Sequence, residues 1–186
     1  MSRKALASVL VGLFCGVIRT AVTDLAGAQD GRIGLSRPAT EAEIRAWDID
    51  VAPTGEGLPP GQGTVQAGAR LYATRCSSCH GVTGKEGPAP RLVGGQDTLA
   101  TANPVKTVGS YWPYATTLYD YIRRAMPFTA PLSLTSDEVY AVTAWILAQH
   151  GIVKNDAVLD AKSLATGQMP NRNGFVSDPR PGAQSR

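Results

Sequence analysis

Cys76-Ser-Ser-Cys79-His80 places two thiols three positions apart, with a histidine directly after the second. At the end of a helix, two cysteines at this spacing can each form a thioether to one of the two vinyl groups of a single porphyrin. The adjacent histidine can then bind the iron through an imidazole nitrogen, which is the C-x-x-C-H pattern of covalent haem attachment. We therefore predict one haem c, attached through Cys76 and Cys79, with His80 as an iron ligand.

A redox dithiol and half of a zinc site are the other uses of such a cysteine pair. A structural zinc site takes four ligands, whereas the rest of the chain offers only Cys15 and His150. The composition therefore favours haem attachment over a zinc site.

The first 28 residues are typical of an export signal. A basic start at residues 3–4 and an apolar run over 5–18 precede Ala26-Gly-Ala28, which has the small side chains of a cleavage site. The apolar run is shorter than the ~20 residues that cross a bilayer. We expect a secreted, periplasmic protein that begins near Gln29, has no membrane span after cleavage and loses Cys15 with the signal, with an uncleaved anchor as the alternative.

Charged side chains nearly balance once the signal is removed. Of the 18 basic and 15 acidic residues of the full chain, three basic ones and one acidic one lie in residues 1–28, so the mature chain carries 15 and 14. No run of like charge remains, which argues against nucleic-acid binding and against a polybasic membrane patch.

Three helices are predicted between residues 64 and 150, which we expect to be the haem domain. The first begins at Thr64 and ends at the attachment motif, and the second spans 116–125, because Pro127 prevents its continuation. The third begins at the capping box Thr135–Glu138 and ends at Gly151. Apolar residues recur at helical spacing at Val65, Ala69 and Tyr72, at Leu118, Tyr121 and Ile122, and at Val139, Val142, Thr143, Ile146 and Leu147.

These signals predict an all-α fold. We expect the Gly68/Tyr72 face of the first helix to cross the Val142/Trp145 face of the third, with the haem in the gap.

Two extended arms flank the predicted domain. The N-terminal arm, 29–63, is rich in Gly, Pro and Thr and contains one helical candidate over 41–47, capped by Thr40. The C-terminal tail, 151–186, turns polar, and we expect it to run along the surface with its last residues frayed. No segment predicts a strand.

The residues alone leave three candidates for the second axial ligand. Met126 is followed by Pro127 and precedes the third helix, whereas Met169 is in a second Met-Pro pair within the tail. His150 lies at a helix end, where interaction with the helix dipole is a structural explanation.

Aromatic and basic side chains near the second helix supply further candidates. Tyr111 and Trp112 are predicted to contact the cofactor. Their rings would pack against the porphyrin, and the phenol or indole would donate a hydrogen bond to a propionate. An ordinary role in the core is the alternative. Arg123 and Arg124 could pair with propionates or with a partner, but solvated helix positions are favoured.

The haem domain resembles the small class I cytochromes c. In that family a Met-Pro pair before the final helix supplies the second ligand, which implies Met126. The family also has a Pro-x-Leu-x-Gly loop whose carbonyl accepts from the iron-bound histidine, and Pro90, Leu92 and Gly94 match it, with an ordinary turn-rich loop as the alternative. Such a bond fixes the ring and tunes the iron, so the resemblance implies that Pro90 belongs to the cofactor site.

Most of the mature chain, from about Leu35 to Pro179, is similar to the cytochrome subunit of bacterial sulfur dehydrogenase in the thiosulfate-oxidising system and to related sulfite dehydrogenase cytochromes. The likeness is carried by Arg37–Val51, Gly57–Gly61, Pro104–Tyr114, Arg124–Phe128 and Met169–Phe175. That sulfur dehydrogenase cytochrome has a second haem domain, whereas one attachment motif occurs here, so a single-haem form is expected.

The resemblance implies a non-catalytic electron-transfer subunit. It would take single electrons from a molybdenum-cofactor dehydrogenase subunit that oxidises a sulfur substrate, pass them to a downstream cytochrome or oxidase, and use its arms for docking. A generic soluble respiratory shuttle and a haem-based ligand sensor, in which Met126 dissociates, are the alternatives.

Overall fold

A computed structural model of the chain describes residues 37–177, so the expected export signal and the expected frayed end lie outside the described residues. The chain divides into two compact units between Trp47 and Asp48. In the described part of the first, helix α1 (Glu41–Trp47) begins after Thr40, as predicted. The Thr40 hydroxyl accepts from the Glu43 N–H at 3.3 Å, and the Glu43 carboxylate accepts from the Thr40 N–H at 2.8 Å.

The second unit is mainly helical and has a two-stranded sheet. None of the helices within residues 37–177 has the length and apolar character that a bilayer crossing requires. In chain order the elements are β1 (Gln62–Thr64), α2 (Val65–Arg75), α3 (Ser77–His80), α4 (Val108–Tyr111), α5 (Ala115–Ala125), α6 (Ser136–Gln149), β2 (Val158–Asp160) and α7 (Ala161–Ala165).

Side-chain caps fix where the two longest predicted helices begin. The Thr64 hydroxyl accepts from the Ala67 N–H at 3.1 Å, so α2 starts one residue after the predicted position. Thr135 and Glu138 form the predicted capping box of α6. These bonds satisfy backbone N–H groups that have no partner within the helix.

Helices α2 and α6 cross at Gly68, as predicted. A Cβ at Gly68 would lie 1.9 Å from the Ala141 carbonyl oxygen, so the two backbones approach to a distance that only glycine allows. One turn later the rings of Tyr72 and Trp145 stack, with 3.8 Å between their centroids. This contact fixes the end of α2, and therefore the attachment motif, relative to α6.

The prediction that the chain has no strand was wrong. β1 pairs with β2 in antiparallel register, with Gly63 opposite Leu159. Each strand has three residues, which is too few to show the alternation of apolar and polar side chains that indicates a strand.

The prediction of a peripheral C-terminal tail was also wrong for its described part. Leu159, Leu164 and Met169 are buried, with 4%, 1% and 3% of their surfaces exposed, and they belong to the hydrophobic core. Single apolar residues among polar ones give no periodic signal, because each contributes to the core separately.

The part of the N-terminal arm that belongs to the second unit packs on α5. The buried Asp120 carboxylate accepts from the Val51 N–H at 3.1 Å, and Arg123 donates to the Ile49 carbonyl at 3.0 Å. Arg124 pairs with Asp120. The favoured interpretation as a solvated position is therefore corrected for Arg123, which is half-buried and bound to the backbone, whereas Arg124 is exposed, as expected.

Replacing Gly68 with alanine tests the crossing. Helix propensity alone favours Gly68→Ala by about 1 kcal/mol, whereas overpacking against the Ala141 carbonyl costs about 1–3 kcal/mol. We expect a lower denaturant midpoint, measured by circular dichroism. Ala73→Ser, on the exposed side of the same helix, is the control and should change it little. A raised midpoint for Gly68→Ala would contradict the close crossing.

Candidate haem site

A cavity of about 650 Å³ lies beside the crossing of α2 and α6. Its volume is in the range of ligand and cofactor cavities. Most of its wall is apolar, and the apolar side chains from α5 and α6 are Leu118, Ile122, Val142 and Ile146. The apolar wall of the cavity is therefore suited to bind a flat apolar macrocycle.

The attachment motif forms one end of the cavity. The last hydrogen bond of α2 is donated by the Cys76 N–H to the Tyr72 carbonyl, at 3.0 Å. The single turn α3 follows, and in it the N–H groups of Cys79 and His80 both donate to the Cys76 carbonyl. The Tyr72 hydroxyl donates to the Gly81 carbonyl at 2.9 Å and so ties the far end of the motif back to α2. Cys76, Cys79 and His80 all line the cavity.

The two thiols are unpaired, and the environment of Cys76 suits a neutral sulfur. Burial raises the pKa of the Cys76 thiol to about 11, so the free thiol is neutral at neutral pH. Within residues 37–177 there is no group of three or more His, Cys, Asp or Glu that could hold a metal ion. Among the described residues, the chemistry therefore favours thioether formation.

The His80 ring is oriented by the loop that follows the motif. Its Nδ1 lies 2.9 Å from the Pro90 carbonyl oxygen. Because a carbonyl can only accept, Nδ1 carries the hydrogen, which leaves Nε2 with a free lone pair for a metal. This is the contact that the Pro90-x-Leu92-x-Gly94 pattern implied.

Of the three candidates for the second axial ligand, the structure brings Met126 to the cavity. Met126 follows the last residue of α5, and its N–H donates to the Ile122 carbonyl at 3.0 Å. Met169 is in the core and His150 bonds to the backbone, and neither lines the cavity. Ligation by Met126 stays a prediction.

The aromatic run contributes one cavity residue. Trp112 lines the cavity and contacts Tyr121 edge-on, with 5.7 Å between ring centroids. Tyr111 does not line it. Its ring contacts Phe175 at 5.2 Å, and the Lys106 ammonium lies 4.9 Å from its centroid.

Among the cavity residues that the sequence reasoning missed, three are basic: Arg75, Arg91 and Lys106. Their cationic groups suit the propionates of a haem. Arg75 is at the end of α2, and Arg91 and Lys106 lie in the long loop between α3 and α4. Because they are far apart in the sequence, no motif predicts that they meet. Together with the apolar walls, the two thiols and the His80 nitrogen, they make a cavity that fits a haem.

Comparison with known proteins agrees with this geometry. The family model of cytochrome c matches residues 65–149. A chain in the crystal structure of the sulfane dehydrogenase SoxCD from Paracoccus pantotrophus is 44% identical, with a TM-score of 0.75, and the match covers 82% of this chain and 76% of that chain. The chain belongs to the cytochrome c family.

Comparison with the curated proteins gave no match. Membership of the family means that this cytochrome is an electron-transfer protein that binds haem c covalently, in the all-α class I fold. Its similarity to the SoxCD chain places it with the cytochromes of sulfur dehydrogenases.

A pair of methionine variants tests the second ligand. Met126→Ala should abolish the weak absorption band near the red end of the spectrum that arises from thioether sulfur bound to ferric haem. Met169→Ala removes a buried side chain, so it should lower stability by about 2–5 kcal/mol and leave the band intact. The assignment fails if the band survives in Met126→Ala or disappears in Met169→Ala.

Proposed function

We propose that this cytochrome is a periplasmic, single-haem electron carrier. It accepts single electrons from a molybdenum-containing sulfite or sulfur dehydrogenase subunit and passes them to a downstream cytochrome or oxidase. The observation that carries the proposal is the 44% identity to a chain of a sulfane dehydrogenase, joined to a cavity that has His80 and Met126 on its wall.

Each residue has a defined part in this function. Cys76 and Cys79 would tether the porphyrin, and His80 and Met126 would bind the iron. The bound haem supplies a one-electron iron couple, and His/Met ligation gives a higher potential than bis-His ligation does. The Pro90 carbonyl holds the His80 hydrogen and so keeps the ligand ring in one orientation.

The exposed rim of the cavity is the proposed route for electrons. Phe128 lines the cavity and is 83% exposed, and Tyr121, also in the wall, is 48% exposed. A partner that covers these rings comes close to the cofactor without entering the core. The protein makes and breaks no substrate bond in this scheme.

The partnership rests on the extent of the similarity. The cytochrome c model matches 65–149, whereas the SoxCD chain matches 82% of this chain, so the likeness includes sequence outside the haem domain. We propose that residues 1–28 are removed on export, and that exposed parts of the flanking segments 29–63 and 151–186 contact the dehydrogenase subunit.

Mass spectrometry tests the cofactor. The exported protein should have the mass of residues 29–186 plus one haem, and Cys76→Ser with Cys79→Ser should remove the covalent haem. A colourless protein with only the polypeptide mass contradicts the proposal.

Rapid-mixing spectroscopy tests the partner. A molybdenum-cofactor sulfite or sulfur dehydrogenase from the same organism should co-purify with the cytochrome and reduce it when its sulfur substrate is added. The mixture without sulfur substrate is the control. Equal reduction by unrelated respiratory dehydrogenases, with no stable complex, would indicate a generic shuttle. Rapid binding of carbon monoxide to the ferrous protein at neutral pH would indicate a ligand sensor.

A further inference from the structure

His150 follows the last residue of α6 and reaches the loop that carries Pro90. Its Nε2 lies 3.0 Å from the Leu92 carbonyl oxygen, and its Nδ1 lies 2.8 Å from the Gln96 amide nitrogen. The ring also lies against α4, where a Cβ at Gly109 would be 2.2 Å from Nδ1. The ring is therefore held on three sides.

The partners of the ring decide which nitrogen carries the hydrogen. The Leu92 carbonyl can only accept, so Nε2 donates to it, and Nδ1 then accepts from the Gln96 amide. The Gly109 N–H, in the first turn of α4, also points at Nε2, at 3.3 Å. Nε2 cannot accept from Gly109 while it donates to Leu92, and the shorter contact, to a carbonyl that can only accept, decides the assignment. Burial lowers the pKa of His150, which favours the same neutral ring.

Leu92 is two residues from the carbonyl that holds His80. The Leu92 N–H donates to the Gly84 carbonyl at 2.9 Å, and the Leu92 side chain lines the haem cavity. At the other end of the loop the Thr107 hydroxyl donates to the Gly94 carbonyl at 2.6 Å. Apart from the bond from His80 itself, the bond from His150 is the nearest to Pro90 among the side-chain hydrogen bonds that the backbone of this loop receives from outside the loop.

We propose that His150 is a positioning residue for the haem: by donating to the Leu92 carbonyl, it fixes the 90–94 loop so that the Pro90 carbonyl keeps its hydrogen bond with His80. This inference rests on the proposed ligation of haem by His80. It assigns His150 a role in tuning the iron without direct contact with the cofactor.

The physical consequence is a change in reduction potential. When a carbonyl accepts a hydrogen bond from Nδ1–H, the other ring nitrogen gives more electron density to the metal. This electron donation favours ferric iron. When the loop is released, that bond lengthens, so the potential becomes more positive. Exchange of the His80 Nδ1 hydrogen with solvent becomes faster as well.

Two variants of His150 separate positioning from packing. His150→Leu fills part of the space but has no donor, whereas His150→Gln retains an N–H near the position of Nε2. We expect a positive shift in potential and faster exchange of the His80 ring hydrogen, followed by NMR of the ferrous protein, in His150→Leu. His150→Gln should restore both toward the wild-type values.

Leu164→Ala is the matched control, because it removes a buried core side chain that lines neither the haem cavity nor the 81–107 loop. It should lower stability and leave the potential unchanged. If His150→Leu behaves in the same way, or if His150→Leu and His150→Gln shift the potential equally, the proposal is wrong.

Gln96→Ala gives a second route to the same answer if His150→Leu does not fold. Gln96 is exposed, and its loss frees the ring to change tautomer. We expect a smaller positive shift from it, and no shift would overturn the proposal. Absence of covalent haem in the wild-type protein would instead defeat the proposed function, so the two failures are distinguishable.

Discussion

The close contact of α2 with α6 at Gly68 determines the position of everything at the haem site. Because Gly68 has no side chain, the α2 backbone reaches the Ala141 carbonyl, and Tyr72 can stack on Trp145 one turn later. Tyr72 is in the last turn of α2, directly before the attachment motif. The cysteines and His80 therefore face the apolar wall formed by α5 and α6. A wider crossing would move the motif away from the wall that a porphyrin needs.

The second constraint is the loop between α3 and α4, which has no helix or strand of its own over residues 81–107. Its shape depends on hydrogen bonds to fixed elements. Pro90 is bonded to His80 in α3, Leu92 to His150 at the end of α6, and Gly94 to Thr107 before α4. A loop anchored in this way can hold a carbonyl at a metal ligand with the accuracy of a helix, although turn-forming glycine and proline are the main local signals in its sequence.

Local signals made α1, α2, α5 and α6 predictable, because caps and apolar spacing act within one helix turn. The C-x-x-C-H motif could be anticipated because it is contained in a short segment, and the His80–Pro90 contact because the resemblance to class I cytochromes c implied it. The sheet, the burial of Met169 and the cavity residues Arg75, Arg91 and Lys106 depend on contacts between distant segments. Nothing in their local sequence distinguishes them from loop residues, and His150 likewise looked like an ordinary helix end.

Burial of the C-terminal segment changes what the flanking sequence can do. The cytochrome c model ends at residue 149, yet Leu159 and Leu164 pack into the same core as α6, and β2 pairs with β1 at the start of α2. These residues stabilise the haem domain and are not available to a partner. Toward the end of the described tail, Phe175 and Val176 are 51% and 91% exposed, so their apolar side chains remain for docking. Because Phe175 contacts Tyr111 beside the cavity residue Trp112, a partner bound there would lie next to the wall of the haem site, which joins docking and electron transfer on one surface.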